Sequence, residues 1–167
     1  SYRGQPVVVF ALPRGGVVLG VEVARPLEAP LDLIVVRKIG HPQSSEYAIG
    51  AITEDGDIVL NPDEAGMLDR SWIMTTAEAE LREAYRRRAV FVHDSDRISA
   101  NDKIAIIVDD GLATGLTMEA AIRQLRKQQP QKVIVAVPVA AADTVNRLRP
   151  KVDDMVILHI PPMLGAV

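Results

Sequence analysis

The 167-residue sequence contains no cysteine and only six aromatic residues: one Trp, three Tyr and two Phe. The lack of cysteine excludes disulfide bonds, thiolate zinc sites and cysteine nucleophiles, and it fits a reducing, cytoplasmic location. So few aromatic rings leave little on which bases can stack. The net charge of −3 also lacks the basic excess of proteins that coat DNA or RNA. We therefore expect no nucleic-acid partner.

Long apolar runs are missing as well. The longest run, residues 133–142, is about ten residues long and includes a proline, whereas a bilayer-spanning helix needs about twenty residues. We therefore expect no membrane partner. The composition, 48% hydrophobic and 25% charged, is that of a soluble globular chain. Because the sequence has no repeat and no low-complexity linker, we predict a single domain over residues 1–167.

Short runs of Val, Ile and Leu alternate with helical stretches along the chain. The runs lie at residues 7–12, 33–36, 104–108, 133–137 and 155–158. They are continuous rather than alternating, which indicates strands that are covered on both faces. Strands interleaved with helices need crossover connections, and these produce a mostly parallel sheet. We predict a three-layer α/β fold, with a mostly parallel twisted sheet flanked by helices.

Two segments interrupt this alternation. Residues 38–48 are polar and contain Gly and Pro, which predicts an exposed, flexible loop. Residues 49–60 are predicted to form a β-hairpin, because Asp55-Gly56 is a turn signal between two apolar runs.

The strongest helix signal covers residues 75–92. Thr75 and Glu78 have the spacing of a capping box at the helix N-terminus. Three consecutive arginines, Arg86, Arg87 and Arg88, stand near its other end. We interpret them as a solvated helix end, whose cations oppose the negative pole of the helix dipole, rather than as a phosphate site.

The segment that follows the run at residues 104–108 carries the clearest chemical signal. Asp109 and Asp110 end the strand, and residues 111–117 form a turn with two glycines and two threonines before a helix predicted over residues 118–127. Glycines let successive backbone amides converge on an anion, and a helix N-terminus adds positive potential. The two carboxylates can accept hydrogen bonds from a sugar diol, or hold a divalent metal indirectly. Phosphate beside diol describes a ribose 5-phosphate.

This segment resembles the 5-phosphoribosyl 1-pyrophosphate signature of the type I phosphoribosyltransferases over its full length. The resemblance implies a three-layer fold with a β-hairpin and a reduced hood, which residues 160–167 would begin, and a role in nucleotide metabolism. It implies that Asp109 and Asp110 bind the 2- and 3-hydroxyls of ribose. It also implies that the turn binds the 5-phosphate through Gly111, Leu112, Ala113, Thr114, Gly115, Leu116 and Thr117.

Ala113 departs from one branch of the family. The hypoxanthine-guanine enzymes carry an Asp at this position, where it assists proton transfer at the purine. Its absence here argues against a 6-oxopurine acceptor. Adenine and orotate enzymes also lack an acid there, so Ala113 leaves the transfer reaction itself open.

A second loop, residues 12–16, follows the first strand and precedes a helix predicted over residues 17–27. Arg14 offers a guanidinium fork that matches phosphate oxygens, and Gly15 and Gly16 permit close approach of the backbone. From these residues alone, an anion site and a plain turn are equally good interpretations. The loop resembles the family's pyrophosphate loop, which implies pyrophosphate binding by all three residues and a cis non-proline peptide beside Arg14.

Arg37 and Lys38 are predicted at the carboxyl end of the second strand, where open α/β sheets bind their ligands. With Arg14, they would be the catalytic residues that neutralise a departing pyrophosphate. Residues 43–52 are similar to the flexible-loop-and-hairpin region of an uncharacterised branch of the family. A loop over residues 38–48 would close over the site and exclude water.

The predicted reaction is transfer of ribose 5-phosphate from 5-phosphoribosyl 1-pyrophosphate to a nitrogenous acceptor, a nucleobase in the first instance, with release of pyrophosphate. The sequence offers no all-protein metal cage, so Mg²⁺ would arrive on the substrate's phosphates and meet Asp109 and Asp110 through water. The alternative is a regulator of the same fold that senses the sugar phosphate without turnover. Such regulators usually add a DNA-binding element or a basic face, and the sequence shows neither. We also expect a homodimer.

Overall fold

The structure, a computed structural model, describes residues 2–92 and 97–162. Its strands are β1 (Val7–Ala11), β2 (Leu31–Leu33), β3 (Val36–His41), β4 (Ser44–Thr53), β5 (Ile58–Leu60), β6 (Ile104–Val108), β7 (Lys132–Val139) and β8 (Asp154–His159). Its helices are α1 (Gly15–Leu27), α2 (Pro62–Ala65), α3 (Arg70–Phe91), α4 (Leu116–Arg126) and α5 (Ala142–Leu148). Residues 163–167, where the predicted hood segment would continue, lie outside the described residues.

Five strands form a parallel sheet in the order β2-β1-β6-β7-β8. Every residue of β1 and β6 is buried, which is why their sequences are continuous apolar runs. One face of this sheet packs against α4 and α5 through a core that includes Phe10, Met118 and Leu148. The opposite face packs against α1. The predicted three-layer, mostly parallel α/β fold is confirmed.

Strands β3, β4 and β5 form a second, antiparallel sheet, on which α3 packs. The turn at Asp55-Gly56 joins β4 to β5, where the sequence predicts a hairpin. The flexible loop predicted over residues 38–48 is not found. These residues form most of β3, a two-residue turn and the first half of β4.

The polar composition of residues 38–48 reflects exposure rather than irregular backbone. Ser44, Ser45 and Glu46 are exposed on a two-stranded ribbon that projects from the sheet. The strand register shifts at Gly40, which marks a bulge in this ribbon. A Cβ atom at Gly40 would lie 2.5 Å from the carbonyl oxygen of Ser45, so the close approach of the two strands favours glycine there.

Helix α3 begins earlier than the sequence predicts. Its N-cap is Asp69, whose carboxylate accepts hydrogen bonds from the backbone N–H groups of Ser71 and Trp72. Thr75, the predicted N-cap, lies inside the helix. The Thr75–Glu78 spacing fits a capping box, but a stronger cap stands six residues upstream.

Among the described residues, no helix is both long and apolar enough to cross a bilayer.

The interpretation of the three arginines as a solvated helix end is wrong for Arg88. Its side chain is 11% exposed, and its guanidinium donates hydrogen bonds to the carboxylates of Asp32 and Glu54 at 2.9 and 3.0 Å. It also donates to the carbonyl oxygen of Leu33 at 2.7 Å. Arg88 therefore joins α3 to the connection between the two sheets.

Candidate functional site

An open cavity of about 880 Å³ lies at the carboxyl ends of the neighbouring strands β1 and β6. It brings together the three groups of residues that the sequence singles out separately. The predicted residues that line it are Arg14, Gly15, Arg37, Lys38, Asp109, Asp110, Gly111, Leu112, Ala113, Thr114, Gly115 and Thr117. Two predicted residues do not line it: Gly16 is buried beneath the loop, and Leu116 packs into the core beside Ala51.

The Arg14 loop packs directly against the end of β6. A Cβ atom at Gly15 would lie 1.7 Å from a carboxylate oxygen of Asp110, and one at Gly16 would lie 2.6 Å from the carbonyl oxygen of Val108. Gly16 therefore needs to be glycine because backbone meets backbone there, whereas a side chain at Gly15 would displace the Asp110 carboxylate. The peptide between Pro13 and Arg14 is cis, at the place that the family resemblance implies.

In residues 111–117, which we call the phosphate turn, most backbone carbonyl groups are hydrogen-bonded within the protein, whereas several N–H groups are not. The carbonyl oxygens of residues 112–115 all accept hydrogen bonds within the protein, from the Ala141 N–H, the Thr144 hydroxyl, the Arg147 guanidinium and the Glu119 N–H. Within the described residues, the N–H groups of Ala113, Thr114 and Gly115 meet no acceptor.

Backbone N–H groups that no protein acceptor pairs are available to solvent or to a ligand, and here Thr114 is exposed and Ala113 is half-buried. Three consecutive N–H groups of this kind stand immediately before the N-terminus of α4, whose first turn adds further N–H groups without intrahelical partners. Gly115 makes the tight approach possible, since its φ of +69° lies in the left-handed region that favours glycine. This arrangement is suited to an anion with several oxygen atoms.

Asp109 and Asp110 stand between the phosphate turn and the Arg14 loop. Burial raises the pKa of the Asp109 carboxyl to about 7, and the adjacent carboxylate of Asp110 contributes to this rise. The backbone N–H of Asp110, 2.9 Å from Asp109 Oδ1, and the charge of Lys38 oppose it. The paired acids are thus only partly compensated by the protein, so hydroxyl donors or a cation would stabilise their ionised forms.

The described residues contain no group of three or more His, Asp or Glu side chains that could hold a metal ion. Two adjacent carboxylates nevertheless fit the oxygen donors that Mg²⁺ prefers when it keeps several waters and binds substrate phosphates. A magnesium ion delivered on a phosphorylated ligand would therefore suit Asp109 and Asp110, whereas a resident metal would not.

Arg37 and Lys38 line the cavity, but they do not end a parallel strand as predicted. The run at residues 33–36 is divided between β2 and β3, because Ile34 and Val35 are buried where the chain passes from one sheet to the other. Arg37 Nε donates to a carboxylate oxygen of Glu80 at 2.7 Å. Lys38 is exposed and forms no ion pair with any residue that the structure describes.

One wall of the cavity comes from α3, a helix that sequence reasoning does not assign to the site. Trp72, Thr76 and Glu80 line the cavity, and so does Arg87 further along the helix. The first three are spaced by four residues, which places them on one face of the helix. This four-residue spacing is the signal in the sequence that could have assigned α3 to the site, but it is equally typical of a helix face that packs against the core.

Comparisons with known proteins identify the family and the fold of this chain. The sequence fits the family model described as "Phosphoribosyl transferase domain" over residues 1–161. The chain belongs to this family. It is 45% identical over 166 residues to "Putative phosphoribosyl transferase Rv0571c" of Mycobacterium tuberculosis (strain ATCC 25618 / H37Rv). The match covers 98% of this chain and 38% of that protein, so the chain spans well under half the length of this curated relative.

Solved structures show the same fold. TT1426 from Thermus thermophilus is 37% identical, with a TM-score of 0.78 over 98% of this chain and 78% of that one. A hypoxanthine phosphoribosyltransferase from Staphylococcus aureus is 13% identical, with a TM-score of 0.51 over 93% of this chain and 63% of that one. At 13% identity, the likeness to the second structure shows a shared fold and nothing more.

Proposed function

We propose that this phosphoribosyltransferase domain transfers ribose 5-phosphate from 5-phosphoribosyl 1-pyrophosphate to a nitrogenous acceptor of the nucleobase class, with release of pyrophosphate. One observation carries the proposal: the phosphate turn with its three unpaired N–H groups, the two acids and the cations Arg14, Arg37 and Lys38 line a single cavity, with the acids next to both the turn and the Arg14 loop. A 5-phosphate, a ribose diol and a pyrophosphate succeed one another in the same order along the substrate.

Each residue group has a part in the proposed reaction. The bond between C1 of ribose and pyrophosphate breaks through a transition state that is positive on the sugar and negative on the leaving group. The phosphate turn holds the 5-phosphate, while Asp109 and Asp110 accept hydrogen bonds from the two ribose hydroxyls. Arg14, Arg37 and Lys38 stabilise the charge that develops on pyrophosphate. Fixing the sugar at both ends orients C1 toward the acceptor.

Magnesium is part of this proposal. Bound to the pyrophosphate oxygens, Mg²⁺ would neutralise part of their charge. Asp109 and Asp110 are the residues that would hold it, through water. Glu80 also lines the cavity and holds the Arg37 guanidinium through their hydrogen bond. Lys38 forms no ion pair with any described residue, so its positive charge is available to the leaving group.

The direct experiment measures pyrophosphate release from 5-phosphoribosyl 1-pyrophosphate and Mg²⁺ with a panel of nucleobases. We expect release with at least one base, and Lys38→Met should lower kcat about tenfold or more by removing a charge from the leaving-group side. The matched control is Lys132→Met, since Lys132 lies over the ring of Tyr2, outside the cavity lining. Tight binding of the activated sugar without release for any base would favour the sensing regulator instead.

The proposal also includes a homodimer and a cytoplasmic location. Because the chain spans 38% of its curated relative, the activity of a longer protein would also include contributions from outside this domain. The release assay with this domain alone tests what the domain itself does.

A further inference from the structure

Helix α5 holds the phosphate turn through residues that do not line the cavity. The Thr144 hydroxyl donates a hydrogen bond to the carbonyl oxygen of Ala113, and the Arg147 guanidinium donates to that of Thr114. The backbone N–H of Ala141, just before the helix, donates to the carbonyl oxygen of Leu112 at 2.8 Å. Neither Thr144 nor Arg147 lines the cavity, so neither is placed to touch a ligand there.

Arg147 is itself fixed by a second set of contacts. Its guanidinium also donates to the carboxylate of Glu119, which is 10% exposed and lies in the first turn of α4. Lys151 binds the other oxygen of the same carboxylate. The guanidinium is therefore held between the phosphate turn and the helix that follows it.

These carbonyl contacts determine where the N–H groups of the turn point. In a planar trans peptide, the C=O of one residue and the N–H of the next point in opposite directions. The carbonyls of Leu112, Ala113 and Thr114 belong to the same peptide units as the N–H groups of residues 113–115. Holding the three carbonyls on the α5 side therefore directs the three unpaired N–H groups toward the cavity.

Thr144 also limits the space around the turn. A Cβ atom at Gly115 would lie 2.4 Å from the Thr144 methyl group and 3.2 Å from the Arg147 guanidinium. Thr144 is 5% exposed, so little water can compete for its hydrogen bond to the Ala113 carbonyl oxygen. The side chain therefore contacts the phosphate turn both by packing and by hydrogen bonding.

We propose that Thr144 and Arg147 are positioning residues for phosphate binding: they preorganise the N–H groups of residues 113–115 without touching the ligand. This inference rests on the proposed function, because it assigns the anion at the phosphate turn to the 5-phosphate of the substrate. A loop that is already oriented does not lose affinity to the cost of ordering itself on binding.

The test compares two substitutions at Thr144, with ribose 5-phosphate titrated into each protein in a calorimeter. Thr144→Val keeps the methyl group and the shape but removes the hydroxyl, and we expect a three- to tenfold weaker affinity, the usual range for one hydrogen bond. Thr144→Ser keeps the hydroxyl, and we expect it to retain the wild-type affinity within about twofold.

Thr53→Val is the matched control for a purely structural role. Thr53 is also buried, and its hydroxyl accepts a hydrogen bond from the Asp57 N–H, outside the cavity lining. We expect Thr53→Val to lower the melting temperature and leave the affinity for ribose 5-phosphate unchanged. If Thr144→Val is folded and binds as tightly as the wild type, the inference is wrong.

Arg147→Met carries the same test should Thr144→Val fail to fold. Its control is Arg126→Met, because Arg126 has the same 39% side-chain exposure, pairs with Asp153 and donates to the Lys151 carbonyl oxygen. We expect weaker binding only for Arg147→Met, and equal affinities in the two variants would overturn the inference. A wild type that binds ribose 5-phosphate but releases no pyrophosphate contradicts the proposed function alone. A wild type that does not bind it contradicts both.

Discussion

The cluster around Arg88 and the cavity around Asp109 both gather acidic and basic residues. In the first, which we call the closed cluster, each charged side chain has an oppositely charged partner, although Glu54 Oε2 accepts no hydrogen bond. Arg88 donates to Asp32, Glu54 and a backbone carbonyl, and Arg97 lies 3.8 Å from the remaining oxygen of Glu54. In the cavity, Asp109 and Asp110 adjoin one another, and the nearby N–H groups of the phosphate turn are unpaired. Arg88 is paired with acidic side chains of the chain, whereas Lys38 and the N–H groups of residues 113–115 have no such partner among the described residues. Arg37 is intermediate, because it lines the cavity and also pairs with Glu80.

Substitutions in the two regions should change different free energies, that of unfolding in the first and that of ligand binding in the second. Removing a member of the closed cluster leaves charges buried without compensation, which destabilises the fold. Removing an acid from the cavity relieves a repulsion in the free protein and costs only ligand binding. The two regions are therefore distinguished by whether a substitution changes the free energy of unfolding or the affinity for the substrate.

The largest effect on stability is expected at Arg88. Arg88→Met should lower the free energy of unfolding by about 3–5 kcal/mol, because Asp32 and Glu54 remain buried without their cation. Urea unfolding followed by circular dichroism measures this change. Arg86→Met is the control, since Arg86 is an exposed neighbour that pairs with Glu83, and we expect little change there. Equal stabilities of the two variants would contradict the closed-cluster account.

The next effect is on binding rather than on folding. Replacing Asp109 and Asp110 together by Asn should weaken binding of 5-phosphoribosyl 1-pyrophosphate at least a hundredfold, since both charged acceptors of the ribose hydroxyls are lost. The melting temperature of the ligand-free protein should not fall. Asp63→Asn, at an exposed acid on α2, should bind normally. A double variant that loses stability and keeps its affinity would assign the two acids to the fold.

The smallest effect is a dependence of stability on pH. The pKa of Asp109 is raised to about 7 in the folded protein, above its usual value of 3.8, so the folded state retains a proton that the unfolded state has lost. Stability from this group is fully present below about pH 4 and is lost as the pH rises to 7. We therefore expect Asp109→Asn to melt a few degrees above the wild type at pH 8, with the difference vanishing near pH 4. A difference that does not change with pH would contradict the raised pKa.

The features that can be predicted from the sequence are those encoded in contiguous residues. The apolar runs identify the parallel strands because both faces of those strands are buried. The phosphate turn is recognisable because Asp109, Asp110 and residues 111–117 are adjacent in the chain and act together. Residues that are adjacent in the chain stay close in space, so a short motif that combines acids, glycines and threonines can be recognised without knowledge of the fold.

The remaining features depend on contacts between distant residues. Arg88 reaches an acid 56 positions away, and Thr144 reaches a carbonyl 31 positions away. The prediction places Arg37 on the wrong sheet because nothing local distinguishes a strand end from a passage between sheets. The α3 wall of the cavity, with Trp72 and Thr76, has the spacing of any packed helix face. Pairing over such distances is decided by the tertiary structure and leaves no mark in a single sequence.

The central claim is that the N–H groups of Ala113, Thr114 and Gly115 bind the 5-phosphate of the substrate. Their amide resonances in a proton–nitrogen correlation spectrum test it directly. On addition of ribose 5-phosphate, the three amide protons should move downfield as they become hydrogen-bond donors to the phosphate, whereas ribose alone should leave them in place. Binding of ribose 5-phosphate that leaves these three resonances unchanged would contradict the account.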